Sequence, residues 1–117
     1  MKNGYQIHDA HTAPAESRPL LEQAQAHYGF IPNAIGAMAE SPAVLQAYLS
    51  LDELAGKTAL TGVERHVVLL AITREFECRY CVAAHSAFAK MDGVPPDQVE
   101  RLRQNEILEE KVRERTA

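Results

Sequence analysis

The sequence lacks tryptophan, has only two cysteines and contains no long apolar stretch among its 117 residues. A membrane-spanning helix needs about 18 or more apolar residues in a row, so no membrane partner is expected. Residues 1–16 lack the apolar core of a secretory signal, which predicts a cytoplasmic protein. The formal net charge is −4 without any basic run, which argues against nucleic acid as a partner.

Two cysteines are too few for a disulfide framework. In a chain without an export signal, a closely spaced pair indicates redox or metal chemistry rather than a structural crosslink. The chain is 46% hydrophobic and 24% charged, as is usual for folded domains. Its length predicts one domain over residues 1–117, with residues 1–15 as an extended N-terminal arm because they show no clear period.

Apolar periodicity and helix-boundary residues predict an all-α fold of about six helices. Ser41 as N-cap and Pro42 at the first position open one helix, and Thr61 with Glu64 forms a capping box at the start of another. The unbroken apolar run 67–72 predicts that this second helix is the most buried. The predicted helical segments are 16–29, 30–40, 41–56, 61–76, 78–93, 94–105 and a charged C-terminal segment, 106–117.

The C-terminal segment carries apolar residues at Ile107, Leu108 and Val112. Nothing downstream covers them, and a short helical chain has a modest core. These residues therefore predict a partner subunit that completes the core.

The stretch "ECRYCVAAH" contains Cys78, Cys81 and His85. Steps of three and four place all three side chains on one helical face. A helix N-terminus and a nearby histidine both favour a thiolate, so the stretch provides a nucleophile, a second thiol that resolves it and a base. The alternative is a pair of ordinary buried cysteines, which this spacing disfavours.

A zinc site is a further alternative, since Cys78, Cys81 and His85 supply three of the four ligands that zinc needs. His66 is the obvious fourth. A helical hairpin brings His66 beside the cysteines, where it or the nearby carboxylates Glu64 and Glu75 complete a proton relay. A histidine at the edge of a buried helix explains His66 equally well, and both interpretations stay open.

The remaining histidines and two methionines are interpreted without a functional role. His8, His11 and His27 are expected at the surface, and Met38 and Met91 in packing contacts. Tyr80, between the cysteines, is expected to pack.

The stretch "LTGVERHVVLLAITREFECRYCVAAHSAFAK" resembles the core of the alkylhydroperoxidase AhpD-like group in the carboxymuconolactone decarboxylase superfamily. The upstream "GFIPNAIGAMAESPAVLQAYL" is similar to the lead-in helices of its peroxidase-related members, so the resemblance covers residues 17–104. It implies an all-helical fold and a homo-oligomer, a trimer or a hexamer. It also implies thiol peroxidase or disulfide reductase activity without metal, haem or flavin.

The resemblance also assigns roles to individual residues. Cys81 is the expected peroxidatic thiol, Cys78 the resolving thiol that exchanges with an electron donor, and His85 the proton partner of Cys81. His66 stands where members of the group carry a relay glutamate, and Tyr80 where some carry a histidine, so peroxide activity is expected to be altered. The decarboxylases of the superfamily lack the cysteine pair, which argues against that chemistry here.

The predicted function is a thiol-dependent peroxidase that reduces hydroperoxides through a CxxC dithiol–disulfide cycle. Its expected partners are a hydroperoxide substrate and a dithiol or thioredoxin-like electron donor. A general disulfide reductase, or a redox-sensing oligomeric module with little turnover, is the alternative. Longer relatives continue with further helices, so the chain is expected to be a compact version or a fragment.

Overall fold

The computed structural model describes residues 5–104. Within them lie six α-helices, one short 3₁₀-helix and no β-strand, which confirms the predicted all-α class. The elements are the 3₁₀-helix Ala15–Ser17, α1 Arg18–Tyr28, α2 Asn33–Met38, α3 Pro42–Ala55, α4 Gly62–Glu75, α5 Arg79–Met91 and α6 Pro96–Arg103. The predicted helix over 106–117, with Ile107, Leu108 and Val112, lies outside the described residues.

The chain divides after Lys57 into two compact units, Met1–Lys57 and Thr58–Ala117. Each unit has buried apolar clusters of its own. This division does not test whether 1–117 acts as one domain, which stays a prediction.

The helix ends of the N-terminal unit follow the local sequence. α1 ends at Gly29, whose φ of +81° lies in the left-handed region that glycine adopts without steric cost. Ser41 caps α3 by accepting a hydrogen bond from the backbone N–H of Val44, and Pro42 occupies the first helical position. These predicted boundaries are confirmed. The core of this unit consists of Ala13, Leu21, Ala24, Ile35, Ala39, Leu45 and Leu49.

The prediction that His8 lies at the surface is wrong, because the residue is only 6% exposed. Its Nε2 contacts the carboxylate of Glu40, its Nδ1 lies 3.2 Å from the Thr12 hydroxyl, and its backbone N–H donates to Gly36 at 3.0 Å. A Cβ at position 36 would lie 2.8 Å from the His8 carbonyl oxygen, so only glycine permits this approach. The predicted arm is therefore held against α2 at His8. The local periodicity of the sequence does not predict this contact.

Asp9 shapes the turn that follows His8. Its carboxylate accepts hydrogen bonds from the backbone N–H groups of His11 and Thr12, at 2.8 and 3.0 Å. Because these bonds stabilise the charged form, the pKa of Asp9 lies below its ordinary value, with the His11 bond as the largest cause. His11 and His27 are exposed, as predicted.

The C-terminal unit is built from α4, α5 and α6. The capping box at the start of α4 is confirmed, since Thr61 and Glu64 exchange side chain-to-backbone hydrogen bonds at 2.9 and 3.2 Å. Three residues separate α4 from α5, and a bond between His66 in α4 and Asp92 just after α5 shows that the two helices run antiparallel. The buried apolar residues of this unit are Val67, Leu70, Ala89, Val94, Val99 and Leu102.

α4 has three buried residues, more than any other described helix, but the apolar run from which its burial was predicted is only partly buried. Val67 and Leu70 are buried, but Val68, Leu69 and Ile72 on other sides of the helix are exposed. Among residues 5–104, α4 therefore has one buried side, as is usual for an amphipathic helix. Met91, predicted to pack, is also exposed. The homo-oligomer implied by the resemblance stays a prediction, with which this exposed apolar side is consistent.

No helix within residues 5–104 combines the length and the hydropathy that crossing a membrane requires. The cytoplasmic location stays a prediction.

Candidate functional site

The turn between α4 and α5 is fixed by the backbone of three residues, Phe76, Glu77 and Cys78. The Cys78 N–H donates to the Thr73 carbonyl at 3.0 Å, and the Glu77 N–H donates to the Arg74 carbonyl at 3.0 Å. This pair of bonds is a Schellman motif, which satisfies the last carbonyls of α4. The first cysteine is thereby tied to the end of α4 before α5 begins.

Glu77 occupies the position of this motif that normally holds glycine. Its φ is +54°, and it is the one non-glycine residue with positive φ among residues 5–104. At the other end of α5, Gly93 holds the equivalent position with φ +88°, and Val94 and Gly93 donate to Ala89 and Lys90. The two ends share one motif, but only the end next to the cysteines carries a side chain that disfavours it.

We expect Glu77→Gly to raise the free energy of unfolding by about 1 kcal/mol, because glycine adopts the left-handed conformation without the steric cost that glutamate bears. The matched control is Gly93→Ala, which imposes that cost where it is now absent and should lower stability by a similar amount. Urea unfolding of both variants measures the two changes. A loss of stability in Glu77→Gly would show that the glutamate side chain makes a contact that outweighs the backbone strain.

Cys78 is the N-cap residue of α5. Its Sγ accepts a hydrogen bond from the Cys81 backbone N–H at 3.2 Å, in the position where a serine or aspartate oxygen caps other helices. Cys78 and Cys81 are joined in a disulfide, with their Cα atoms 5.2 Å apart, which confirms that the two sulfur atoms come within bonding distance. Both residues are half-buried, so the pair is not sealed in the interior.

His85 lies one helical turn after Cys81 on α5 and is half-buried. The spacing of four places its imidazole on the same side of the helix as Cys81. Its ring contacts Phe88 edge-on, with centroids 6.0 Å apart. The structure thus puts three of the four predicted site residues on one side of the first two turns of α5.

His66 contacts a carboxylate at the other end of α5 from the cysteines. Its Nε2 lies 2.7 Å from the Asp92 carboxylate, and Asp92 lies eleven residues beyond Cys81 along α5. At 1.5 Å per residue this is a rise of about 16 Å. The partner that the structure gives His66 is therefore a carboxylate at the far end of α5, and the placement of His66 beside the cysteines stays a prediction.

The surroundings of His66 are polar but incompletely hydrogen-bonded. The residue is 7% exposed, and among the described residues neither its Nδ1 nor the hydroxyl of Ser86, also buried, has a hydrogen-bond partner. Buried polar atoms without a partner are rare in folded proteins and commonly mark a bound water or a functional group. Ser86 directly follows His85 in the chain.

The position of His66 also bears on the zinc alternative and on the relay carboxylates. Zinc needed His66 as the fourth ligand, and residues 5–104 contain no cluster of three or more potential ligands. Glu64 is used in the capping box, and Glu75 is exposed. The carboxylate that pairs with His66 is instead Asp92.

Sequence reasoning missed Asp92, Ser86 and Glu77. The hairpin register contained a signal for Asp92, because His66 precedes Cys78 by twelve residues and Asp92 follows it by fourteen. Residues at similar distances on either side of a tight turn lie side by side in antiparallel helices. Tyr80, which was expected to pack, is 46% exposed.

A family model described as the carboxymuconolactone decarboxylase family matches residues 42–117. The matched region is nearly two-thirds of the chain and contains α3 to α6 with both cysteines, His85 and His66. None of the curated proteins compared with the chain matches it.

Proposed function

Because the chain belongs to the carboxymuconolactone decarboxylase family, we propose that it is an AhpD-like thiol peroxidase that reduces hydroperoxides through the Cys78–Cys81 pair. The observation that carries the proposal is the half-exposed disulfide at the N-terminus of α5, one turn before His85. An oxidised pair held at a helix start is one end state of a dithiol–disulfide cycle. The electron donor in this proposal is a dithiol or a thioredoxin-like protein.

The cycle begins with both cysteines reduced. The Cys81 thiolate attacks one peroxide oxygen, the O–O bond breaks, and the alcohol leaves while Cys81 becomes a sulfenic acid. Cys78 then attacks the Cys81 sulfur, the S–S bond forms, and the oxygen leaves as water. The two thiol protons end in the alcohol and the water, and two electrons pass from sulfur to the peroxide. A donor dithiol restores both thiols by exchange.

The helix supports the ionisation that this cycle needs. Once the disulfide is reduced, the free N–H groups at the start of α5 and the Cys81 N–H, which now donates to the Cys78 sulfur, favour negative charge on sulfur. In this proposal His85 takes the proton of Cys81 and returns it to the leaving oxygen. Cys81 reacts with the peroxide because it is the thiol one turn from His85, and Cys78 is the thiol that reacts with the electron donor.

A general disulfide reductase is the second candidate, and the capping geometry favours it. The N-cap sulfur of Cys78 receives a backbone hydrogen bond, and Phe76 and Tyr80, two residues before and after Cys78 in the chain, are exposed. A thiolate stabilised in this way is suited to attack a disulfide. The two functions share the cysteine pair and differ in the oxidant that returns it to the disulfide.

Free-thiol counting distinguishes the two functions. Reduced protein is mixed with one equivalent of hydroperoxide, or with one equivalent of a small disulfide, and its thiols are counted over time. A thiol peroxidase loses two thiols to the hydroperoxide much faster than free dithiothreitol does and regains them when a dithiol donor is added. A rate with hydroperoxide equal to that of free dithiothreitol would reject the peroxidase, and a fast reaction with the disulfide alone would favour the reductase.

A further inference from the structure

Three exposed apolar residues, Ile72, Phe76 and Tyr80, lie close to the disulfide along the chain and are called the turn surface below. Among residues 5–104, Phe76 is the large apolar residue with the greatest exposure, at 79%, and Ile72 and Tyr80 are 52% and 46% exposed. Phe76 and Tyr80 stand two residues before and after Cys78, which limits each Cα–Cα distance to roughly 7 Å. Ile72 lies one turn before Phe76 on the same side of α4. Grouped exposed apolar side chains commonly mark a contact surface for a partner, and aromatic residues are enriched at such surfaces.

The backbone of the α4–α5 turn holds Phe76 in place. The Phe76 N–H donates to the Ile72 carbonyl at 3.1 Å, and the Cys78 N–H donates to the Thr73 carbonyl at 3.0 Å. The segment from Phe76 to Cys78 is thus tied at both ends to the last turn of α4. A side chain on a fixed backbone loses less conformational freedom when a partner covers it than one on a loose loop does. Phe76 is therefore presented to a partner at little cost in ordering the chain.

Reduction of the disulfide by a protein brings that protein close to the turn surface. The donor thiolate attacks the Cys78 sulfur, the bond to Cys81 breaks, Cys81 leaves as a thiolate, and a mixed disulfide joins the donor to Cys78. The two Cα atoms across a disulfide lie about 4.4–6.8 Å apart, so the donor backbone comes as near to Cys78 as Phe76 is. Redox partners bury up to about 600 Å² on each side, a disc of roughly 14 Å radius. Phe76, Tyr80 and Ile72, which is a rise of about 6 Å from Phe76, fall within this disc.

The charged residues of the same stretch cancel one another. Arg74 and Arg79 are exposed cations, Glu75 and Glu77 are exposed anions, and all four lie within four residues of Cys78. A partner therefore finds no net charge here, and the apolar side chains are what distinguishes the surface. Association steered by charge falls steeply with ionic strength, whereas association through apolar contacts does not.

We propose that the turn surface docks a protein dithiol that reduces the disulfide, and that Phe76 determines the specificity for this protein over a small dithiol. This rests on the proposed dithiol cycle, in which a donor resets the cysteine pair. The partner that fits the surface carries a reactive thiol surrounded by apolar rather than charged groups. Its second thiol attacks the mixed disulfide and releases Cys78, so two electrons pass to the pair and the two donor protons end on Cys78 and Cys81. A small dithiol contacts only the sulfur atoms and does not use the turn surface.

The test measures the rate constants with which two donors, reduced thioredoxin and dithiothreitol, reduce the disulfide of the oxidised protein. Samples are quenched with an alkylating reagent at timed intervals, and the thiols are counted by protein mass. We expect Phe76→Ala to lower the rate constant with thioredoxin about tenfold, as the loss of a central aromatic contact does, and to leave that with dithiothreitol unchanged. Phe76→Leu should restore most of the rate with thioredoxin, because leucine retains apolar area. Added salt should change the thioredoxin rate of the unsubstituted protein by less than about twofold.

The matched control is Met91→Ala, because Met91 is also exposed, at 56%, and lies along α5 roughly 20 Å from Cys78. It should leave both rate constants unchanged. An unchanged thioredoxin rate in Phe76→Ala, an equal loss with both donors, or a steep fall with salt would each reject the docking surface. A changed subunit number of Phe76→Ala in analytical ultracentrifugation would also reject it, since Phe76 would then lie between copies of the chain.

Hydroperoxide is absent from this assay, so the docking surface and the proposed peroxidase fail separately. A loss confined to thioredoxin in Phe76→Ala supports the docking surface even in a protein that reduces hydroperoxides no faster than a free dithiol, a result that rejects the peroxidase. Conversely, fast hydroperoxide reduction with dithiothreitol, together with a thioredoxin rate that does not depend on Phe76, rejects the docking surface and leaves the peroxidase standing.

Discussion

Cys78→Ser and Cys81→Ser are each expected to abolish hydroperoxide turnover supported by a dithiol donor. Neither variant can form the Cys78–Cys81 disulfide, and the donor can reset only an oxidised pair. The remaining rate should equal that of the donor and peroxide without protein. Peroxide consumption measured with excess donor checks this result. The stability of each variant is compared with that of the reduced unsubstituted protein, because the crosslink adds to the stability of the oxidised protein.

The two serine variants separate the roles of the cysteines. Cys78→Ser retains Cys81 and should accumulate a sulfenic acid after one equivalent of peroxide, since no second thiol resolves it. Cys81→Ser should accumulate none at the same peroxide concentration. Trapping the sulfenic acid with a dione reagent and measuring protein mass distinguishes them. The reverse pattern would assign the peroxide step to the N-cap thiol, and turnover in both variants would rule out the dithiol cycle.

His85→Gln is expected to have the second-largest effect, a loss of about 100-fold in the rate of thiol oxidation at neutral pH. Glutamine cannot take up a proton, so the neutral thiol of Cys81 is favoured and its pKa should rise. The difference in oxidation rate between His85→Gln and the unsubstituted protein should therefore shrink as the pH rises above the ordinary thiol pKa of about 8.5, where hydroxide removes the proton without help. The pH dependence of alkylation by iodoacetamide measures the thiolate fraction directly.

His27→Gln is the matched control for this substitution, because His27 is an exposed histidine in α1 of the N-terminal unit. It should change neither the oxidation rate nor the pH dependence of alkylation. If His85→Gln has the same pH dependence as the unsubstituted protein, His85 is not the proton partner of Cys81. An equal loss of oxidation rate at every pH would indicate altered packing near Phe88 rather than lost proton transfer.

The helix boundaries and the cysteine segment were predictable because they depend on nearest neighbours along the chain. The Ser41 cap, the Thr61–Glu64 capping box and the Gly29 end all come from groups within a few residues of each other. The same holds for the row of Cys78, Cys81 and His85, since a helix places residues three and four apart side by side wherever it lies.

The failed predictions concern contacts between residues distant in sequence. His8 was expected at the surface, but Glu40, thirty-two residues away, holds it in a buried position. The apolar run in α4 was expected to be buried, but among residues 5–104 its Val68, Leu69 and Ile72 are exposed. Composition and periodicity report the surface that a helix offers, whereas the partner that covers it depends on the tertiary arrangement.

The sequence alone determined that this protein is helical, where its helices begin and end, and which three side chains share one side of α5, because all of these follow from backbone geometry within a few residues. Only the tertiary structure decided that His66 pairs with Asp92. The register of two antiparallel helices determines which residues meet across them, and the turn at Glu77 and Cys78 sets that register.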